Sequence, residues 1–160
     1  MNERRPPSSS VPPGAGSPGG SNVTALSHIA IAVRAADPLV QLLVEALGAT
    51  RGGEELLDQG GLRVVFVHLG PVTLELLEPR SPEHTVARFL DTRGPGLHHV
   101  SLAVRDIGAQ LALAKASGVR LIDETPRAGA HGTQVAFLHP KSLGGVLVEL
   151  CQSTPDASPR

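Results

Sequence analysis

An α+β fold of two tandem βαβββ modules is predicted by three features of this 160-residue chain. A strand-like segment recurs after 71 residues, its large and small side chains alternate, and each copy runs into a helix with readable ends. The two modules, about 24–80 and 95–152, make one domain over residues 23–152, with their sheets side by side around a pseudo-twofold cleft.

The repeat sets Leu26-Ser27-His28-Ile29-Ala30-Ile31-Ala32-Val33-Arg34 against Leu97-His98-His99-Val100-Ser101-Leu102-Ala103-Val104-Arg105. Period-two alternation makes both of them strands. Ile29, Ile31 and Val33 face one way in the first copy, as do Val100, Leu102 and Val104 in the second, forming a bulky face suited to packing under a helix. The opposite face carries His28 or His99 with Ala30, Ala32, Ser101 and Ala103, which leaves room beside each histidine.

A helix follows each strand. Asp37 reads as an N-cap and Pro38 as the first helical residue, with Leu39, Leu42, Leu43, Ala46 and Leu47 carrying the apolar face and Gly48 the stop. The second helix starts at Asp106, turns Ile107, Leu111 and Ala114 to one side and stops at Gly118. Three strands are expected after each helix. In the first module they lie near 50–57, 62–69 and 72–78, and in the second near 119–123, 134–139 and 145–151. A short helix is expected between Pro82 and about Thr92.

Composition removes several function classes. Hydrophobic residues make up 41% of the chain and charged residues 18%, with a formal net charge of −1 and no Lys/Arg cluster. That excludes a nucleic-acid footprint, and no apolar run reaches the roughly 18 residues of a membrane span. Three Phe with no Trp or Tyr make a base- or sugar-stacking site a poor fit. The single Cys151 forms no intrachain disulfide. Residues 1–22 are rich in Pro, Ser and Gly and are expected to form a disordered tail, as are residues 153–160. The first segment lacks the apolar core of a signal peptide, so a cytoplasmic protein is expected.

The closing strands of the modules also match. Val72-Thr73-Leu74-Glu75-Leu76-Leu77 aligns with Val146-Leu147-Val148-Glu149-Leu150, each placing one carboxylate among aliphatic residues. An ionised Glu inside an apolar sheet is costly unless something pairs with it. A lone strand histidine is usually a hydrogen-bonded structural residue, and a lone strand Glu is usually solvated. Four such residues at equivalent places in a repeat point instead to a shared centre. His28, Glu75, His99 and Glu149 offer two imidazoles and two carboxylates. That set suits one divalent first-row ion such as Co²⁺, Mn²⁺, Ni²⁺, Fe²⁺ or Zn²⁺, and without thiolates an open site is favoured over a closed structural one.

These segments resemble the metal-bearing strands of the vicinal oxygen chelate (glyoxalase/bleomycin resistance-like) superfamily. Within it, Gly129-Ala130-His131-Gly132, Phe137-Leu138-His139-Pro140-Lys141 and Gly144-Gly145-Val146-Leu147-Val148-Glu149-Leu150 are most similar to the methylmalonyl-CoA epimerase family. The resemblance runs from about Leu26 to Gln152. It implies a fold built around a metal-containing cleft, an acyl-CoA substrate and a homodimer. The implied reaction interconverts (2R)- and (2S)-methylmalonyl-CoA through C2 proton abstraction, with the metal stabilising the enolate. Epimerisation needs a base on each face of the carbon. Glu149 matches the family's base and metal ligand. Val64 stands where some members carry a second glutamate base, which leaves Glu75 or a metal-bound water for the other face.

Lys141 is a candidate for the coenzyme A phosphates and His131 for the substrate carboxylate or the cleft wall; an exposed turn lysine and a solvated loop histidine are the plainer readings. Cys151 shares the face of Glu149 and reads as a small buried hydrophobe. His98 points away from His99 and is not expected to be a ligand, and His68 and His84 carry no spacing signal. A glyoxalase I-type lactoylglutathione lyase is the nearest rival, although the Asp-Pro-Asp-Gly run common there is replaced by His-Pro-Lys-Ser-Leu-Gly-Gly. An extradiol dioxygenase and a non-catalytic binding or resistance protein of the same fold rank lower.

Overall fold

A computed structural model describes residues 21–154, so the expected tails lie outside the described residues apart from Ser21, Asn22, Ser153 and Thr154. In chain order the elements are β1 Val23–Ala32, α1 Asp37–Leu47, β2 Thr50–Leu57, β3 Leu62–Leu69, β4 Val72–Pro79 and α2 Thr85–Arg93. The second half adds β5 Gly96–Val104, α3 Ile107–Ala116, β6 Arg127–Ala128, β7 Gln134–Leu138 and β8 Val148–Gln152.

All eight strands belong to one mixed sheet in the order β2-β3-β4-β1-β5-β8-β7-β6. Strands β1 and β5 lie antiparallel at its centre, and each is flanked by the parallel closing strand of its own module, β4 or β8. The modules are therefore fused edge to edge about the β1–β5 pair. This is the α+β architecture of two βαβββ units read from the repeat.

The alternation on β1 and β5 sorts the core into layers. Ile31 and Val33 join α1 residues Val40 and Leu43 on the outer side of the first half. Leu102 and Val104 do the same with Ile107, Leu111 and Ala114 of α3 in the second half. On the inner side of the first half, Ala30 and Ala32 are fully buried beneath Val86 and Leu90 of α2. The small residues expected to leave open space thus make room for the helix that joins the modules. Only the His28 end of that face stays open to a cleft. His84 starts α2 by accepting the Val86 N–H on its side chain at 3.1 Å.

Two local readings are corrected. Asp37 is the first residue of α1 rather than its cap; Ala36 precedes the helix without a side-chain cap. The Asp37 carboxylate turns instead to Arg63, with contacts of 3.0 and 3.1 Å. The Ala36 N–H is satisfied from β4, donating to Glu78 Oε2 at 2.7 Å, and Arg63 Nη1 donates to the same oxygen at 3.2 Å. Gly48 does end the helix, in the left-handed conformation at φ 67°.

The expected strand at 119–123 is not formed. Leu121 makes an isolated bridge to Leu138, and the edge strand is instead the two-residue β6. Ile122 and Asp123 both donate to Phe137 O, while Asp123 Oδ2 takes the Phe137 N–H at 2.8 Å. A side chain has replaced a ladder carbonyl, and Pro126 cannot donate to continue the pairing. Strand β8 begins at Val148 rather than Gly145, because Gly144 and Gly145 have φ of 65° and 88° and belong to the preceding turn.

Glu78 holds both a helix start and a mostly buried arginine. Glu78→Ala should therefore destabilise the fold by about 1–3 kcal/mol in urea unfolding, the cost of leaving such donors unsatisfied. Glu45→Ala, which removes an exposed α1 pair with Gln41, should change stability by less than about 0.5 kcal/mol.

Candidate metal centre and cleft

Register decides which side chains meet. In the β1–β5 pair His28 lies opposite Ser101 and His99 lies opposite Ala30, so each imidazole faces a small residue on the other strand. The two rings are then diagonal neighbours and converge, with Nε2 atoms 3.3 Å apart. Strand β8 runs parallel to β5 with Glu149 beside Ser101, and β4 runs parallel to β1 with Glu75 beside Ala30. Both carboxylates thereby reach the same floor as the histidines.

Glu149 Oε1 lies 3.3 Å from His28 Nε2 and Oε2 lies 3.7 Å from His99 Nε2. These three residues are buried, and their ligand atoms all lie within 4.8 Å of one another. Glu75 approaches from the other edge of the His28 ring, with Oε1 3.3 Å from Nδ1. The structure thus gathers His28, His99 and Glu149 around one point and sets Glu75 immediately behind His28.

The neighbours of the two rings favour open nitrogens at that point. His99 Nδ1 is 2.9 Å from His98 Nδ1, and His28 Nδ1 is within 3.3 Å of Ser27 Oγ as well as Glu75. Placing the ring proton on the Nδ1 of each imidazole leaves both Nε2 lone pairs directed inward, as metal-binding histidines require. Burial lowers His28 to about 4, and burial with the neighbouring His98, His28 and Arg127 charges lowers His99 to about 2. Both are therefore neutral imidazoles near neutral pH. Two such nitrogens and a carboxylate, with no thiolate, fit a divalent ion at an open site.

The two carboxylates resist ionisation. Burial, together with the Glu149 and Glu55 charges, pushes Glu75 up to about 8. Burial pushes Glu149 up to about 7, held there against the hydrogen bond from Ser101 Oγ at 2.7 Å and the Arg127 charge. Only the second module has this hydroxyl, because Ala30 occupies the equivalent place in the first.

Above the centre lies a cavity of about 410 Å³, lined by both halves of the sheet, α2 and the 128–131 loop. His131 lines it. Its Nδ1 pairs with Glu55 Oε1 at 2.6 Å, its ring stacks on Phe66 at 4.2 Å, and its φ is 53°. The loop of the second module is thereby fastened to β2 and β3 of the first. Gly129 permits this approach, since a Cβ there would meet Val135 Cγ1 at 2.6 Å. Lys141 sits in an exposed turn after His139 and does not line the cavity. Cys151 does, and burial raises its thiol, consistent with a buried hydrophobe. Val64 is 1% exposed and lines the cavity with an apolar wall.

Several polar residues escaped the sequence reading, among them Ser101, His98, His84 and Arg127. Ser101 holds Glu149, and its signal was available, two positions from His99 on the same strand face. His98 contacts His99 rather than standing apart, and burial then the His84 charge lower it to about 4. His84 lines the cavity and pairs with Asp58 at 2.9 Å, and Arg127 stands at the cavity wall. For the last two, nothing local distinguishes the residue from an ordinary turn or edge position.

A model of the Glyoxalase/Bleomycin resistance protein/Dioxygenase superfamily matches residues 27–137. The chain is also 39% identical over 133 residues to the mitochondrial methylmalonyl-CoA epimerase of Homo sapiens, covering 82% of this chain and 76% of that one. The chain belongs to this superfamily, in the family of the methylmalonyl-CoA epimerases. Among solved structures, the methylmalonyl-CoA epimerase from Mycobacterium tuberculosis superimposes with a TM-score of 0.80 at 34% identity, over 86% of this chain and 93% of that chain. A methylmalonyl-CoA epimerase in complex with methylmalonyl-CoA and NH4+ gives a TM-score of 0.78 at 32% identity, over 86% and 99%. The family's fold and the cleft derived from the repeat agree. No helix among the described residues is long and apolar enough to cross a membrane.

The raised carboxylates make stability depend on pH with a definite sign. Between their ordinary value of 4.5 and folded values of about 7 and 8, the native state holds protons that the unfolded state has released. The buried histidines, neutral when folded but still titrating near 6.5 when unfolded, oppose this slope until about pH 7.5. The carboxylates outweigh them from about pH 7, so metal-free protein should lose stability as pH rises from about 7 to 8. Added divalent metal should raise Tm most at the upper end, where its ligands give up protons most readily. Thermal melts with and without chelator across that range check both slopes; a flat metal-free Tm would mean that the carboxylates ionise normally.

Proposed function

We propose that this protein is a metal-dependent epimerase that interconverts (2R)- and (2S)-methylmalonyl-CoA by removing and returning the proton at C2. The observation that carries the reading is the pair of buried carboxylates on opposite edges of the His28 ring, both with proton affinities near neutrality, on the floor of a cleft shared by two modules. Family membership and the ligands named for its structural relatives support the substrate.

In this reading His28, His99 and Glu149 hold one divalent ion, with Glu75 near enough to join as a fourth ligand or to act from behind His28. Co²⁺ is the proposed ion, and Mn²⁺, Ni²⁺, Fe²⁺ and Zn²⁺ suit the same donors. When bound, the ion supplies Lewis acidity that lowers the cost of negative charge developing beside C2. Glu149 takes the proton on one face and Glu75 returns it on the other. A carboxyl whose proton affinity lies near the working pH serves in either direction, which suits a reversible reaction. Val64 supplies no base from β3, and of the two remaining candidates, Glu75 and a metal-bound water, Glu75 is the one proposed. Ser101 orients Glu149, and α2 with the 128–131 loop keeps water from the exchanging proton. Lys141 and His131 are proposed for the outer parts of the acyl-CoA, and a homodimer is proposed by family likeness.

Metal-loaded protein in deuterium oxide should catalyse C2 deuteration of methylmalonyl-CoA, lose that activity on chelation and regain it with Co²⁺. Background exchange by protein that demonstrably holds metal would remove the substrate assignment. Glu149→Gln should lower both metal content and exchange. Glu75→Gln should retain metal while exchange falls by roughly 10²- to 10⁴-fold, the usual range for loss of a general acid or base. Full turnover by metal-loaded Glu75→Gln would exclude Glu75 as a base.

A further inference from the structure

The cleft is rich in acids and poor in fixed positive charge. Asp58, Glu75, Asp123 and Glu149 all line it, whereas among the described residues Arg127 on β6 is the single Lys or Arg in its lining. Apart from a bound metal, this guanidinium is the one fixed positive charge that the described lining offers an anionic ligand.

Arg127 is also held for use. Its guanidinium carbon lies 5.3 Å from the centroid of the Phe137 ring, and that ring stands edge-on to His99 at 5.1 Å between centroids. One aromatic layer thus separates the cation from the proposed metal ligands. Its Nε faces Asp123 Oδ2 at 3.6 Å, an ion pair too long for a strong hydrogen bond. The same Asp123 oxygen is already engaged by the Phe137 N–H at 2.8 Å. Among the described residues no acceptor is engaged by the terminal Nη groups, and the side chain is about half exposed, at 52%. A planar donor pair, stacked on a cavity ring and free at its tip, is matched to a carboxylate.

We infer that Arg127 is a specificity-determining residue that binds the free carboxylate of a malonyl-type acyl thioester and so selects it over an uncharged acyl thioester. The inference rests on the functional reading above and deepens it. It assigns the guanidinium to the acyl end of the ligand because of its closeness to His99 through Phe137. The phosphates of the coenzyme moiety are the competing target.

The test compares metal-loaded wild type with Arg127→Met and Arg127→Lys, using titration calorimetry with methylmalonyl-CoA, propionyl-CoA and free coenzyme A. Metal content and thermal melts serve as controls for the fold and centre. Arg127→Met should weaken methylmalonyl-CoA binding roughly tenfold or more, the scale of one charge-assisted contact, and leave propionyl-CoA and coenzyme A within about twofold. Arg127→Lys should recover part of the loss, because the charge returns without the fork. An equal loss for all three ligands would overturn the inference in favour of a phosphate contact, and no loss for any would overturn it outright. Either result leaves the epimerase reading standing as long as wild type still exchanges the C2 proton. Wild type that neither binds nor exchanges methylmalonyl-CoA removes that reading, and this one with it.

Discussion

The antiparallel pairing of β1 with β5 is the constraint from which the rest of the site follows. It joins the two modules, and its register sets His28 against Ser101 and His99 against Ala30. Small residues opposite each imidazole let the two rings turn toward one another instead of colliding. A slip of one residue on either strand would carry a histidine to the helix-facing side and drive Ile or Val into the cleft. That outcome is blocked twice, because Ile31 and Val33 are needed under α1, and Leu102 and Val104 under α3. The apolar layers therefore enforce the geometry of the polar one. The parallel pairings β1–β4 and β5–β8 extend the same rule to the glutamates, each placed beside the small residue that faces the other module's histidine.

Duplication gives two equal halves, yet the two halves of this cleft are not equal. The differences are local and few. Burial raises both carboxyls, but Ser101 and the Arg127 charge oppose it at Glu149, whereas the Glu149 and Glu55 charges add to it at Glu75. Helix α2 covers the inner face of the first module only, through Val86 and Leu90. The second module answers with a loop, fastened across the cleft by His131 on Glu55 and Phe66. One half thus contributes a lid of helix and the other a strap of loop, and the volume between them is the cavity.

The repeat made most of this legible in the chain itself. Strands β2 and β3 fall where alternation and turn residues put them, and His28, His99 and Glu149 converge as equivalent positions should. What stayed hidden depends on contacts between distant segments. The cap of α1 is one case. Asp37-Pro38 has the local signature of a helix start, but Arg63 on β3 competes for the Asp37 carboxylate and Glu78 on β4 takes over the orphan N–H. The missing strand at 119–123 is another, where Asp123 satisfies the Phe137 N–H in place of a backbone carbonyl. His84, Asp58 and Arg127 reach the cleft from turns and a two-residue edge strand, elements with no period for a side chain to betray its direction.

The composition of this floor is expensive for a folded protein. Two imidazoles and two carboxylates are kept from water, and without an ion the carboxylates resist ionising and the imidazoles resist protonation. The hydrogen bonds around them compensate only in part, since Ser101 reaches one oxygen of Glu149 and His98 only the far nitrogen of His99. A chain selected for stability alone would replace such a set with aliphatic residues, as buried ion pairs often can be. Its retention in register across a duplication makes sense when a divalent ion supplies the missing positive charge. The ion converts the same unfavourable burial into binding free energy, because ligands held dry and in place have little solvation left to lose. The cost borne by the metal-free fold is then what gives the centre its affinity, and the aliphatic layers under α1 and α3 provide the stability that makes that cost tolerable.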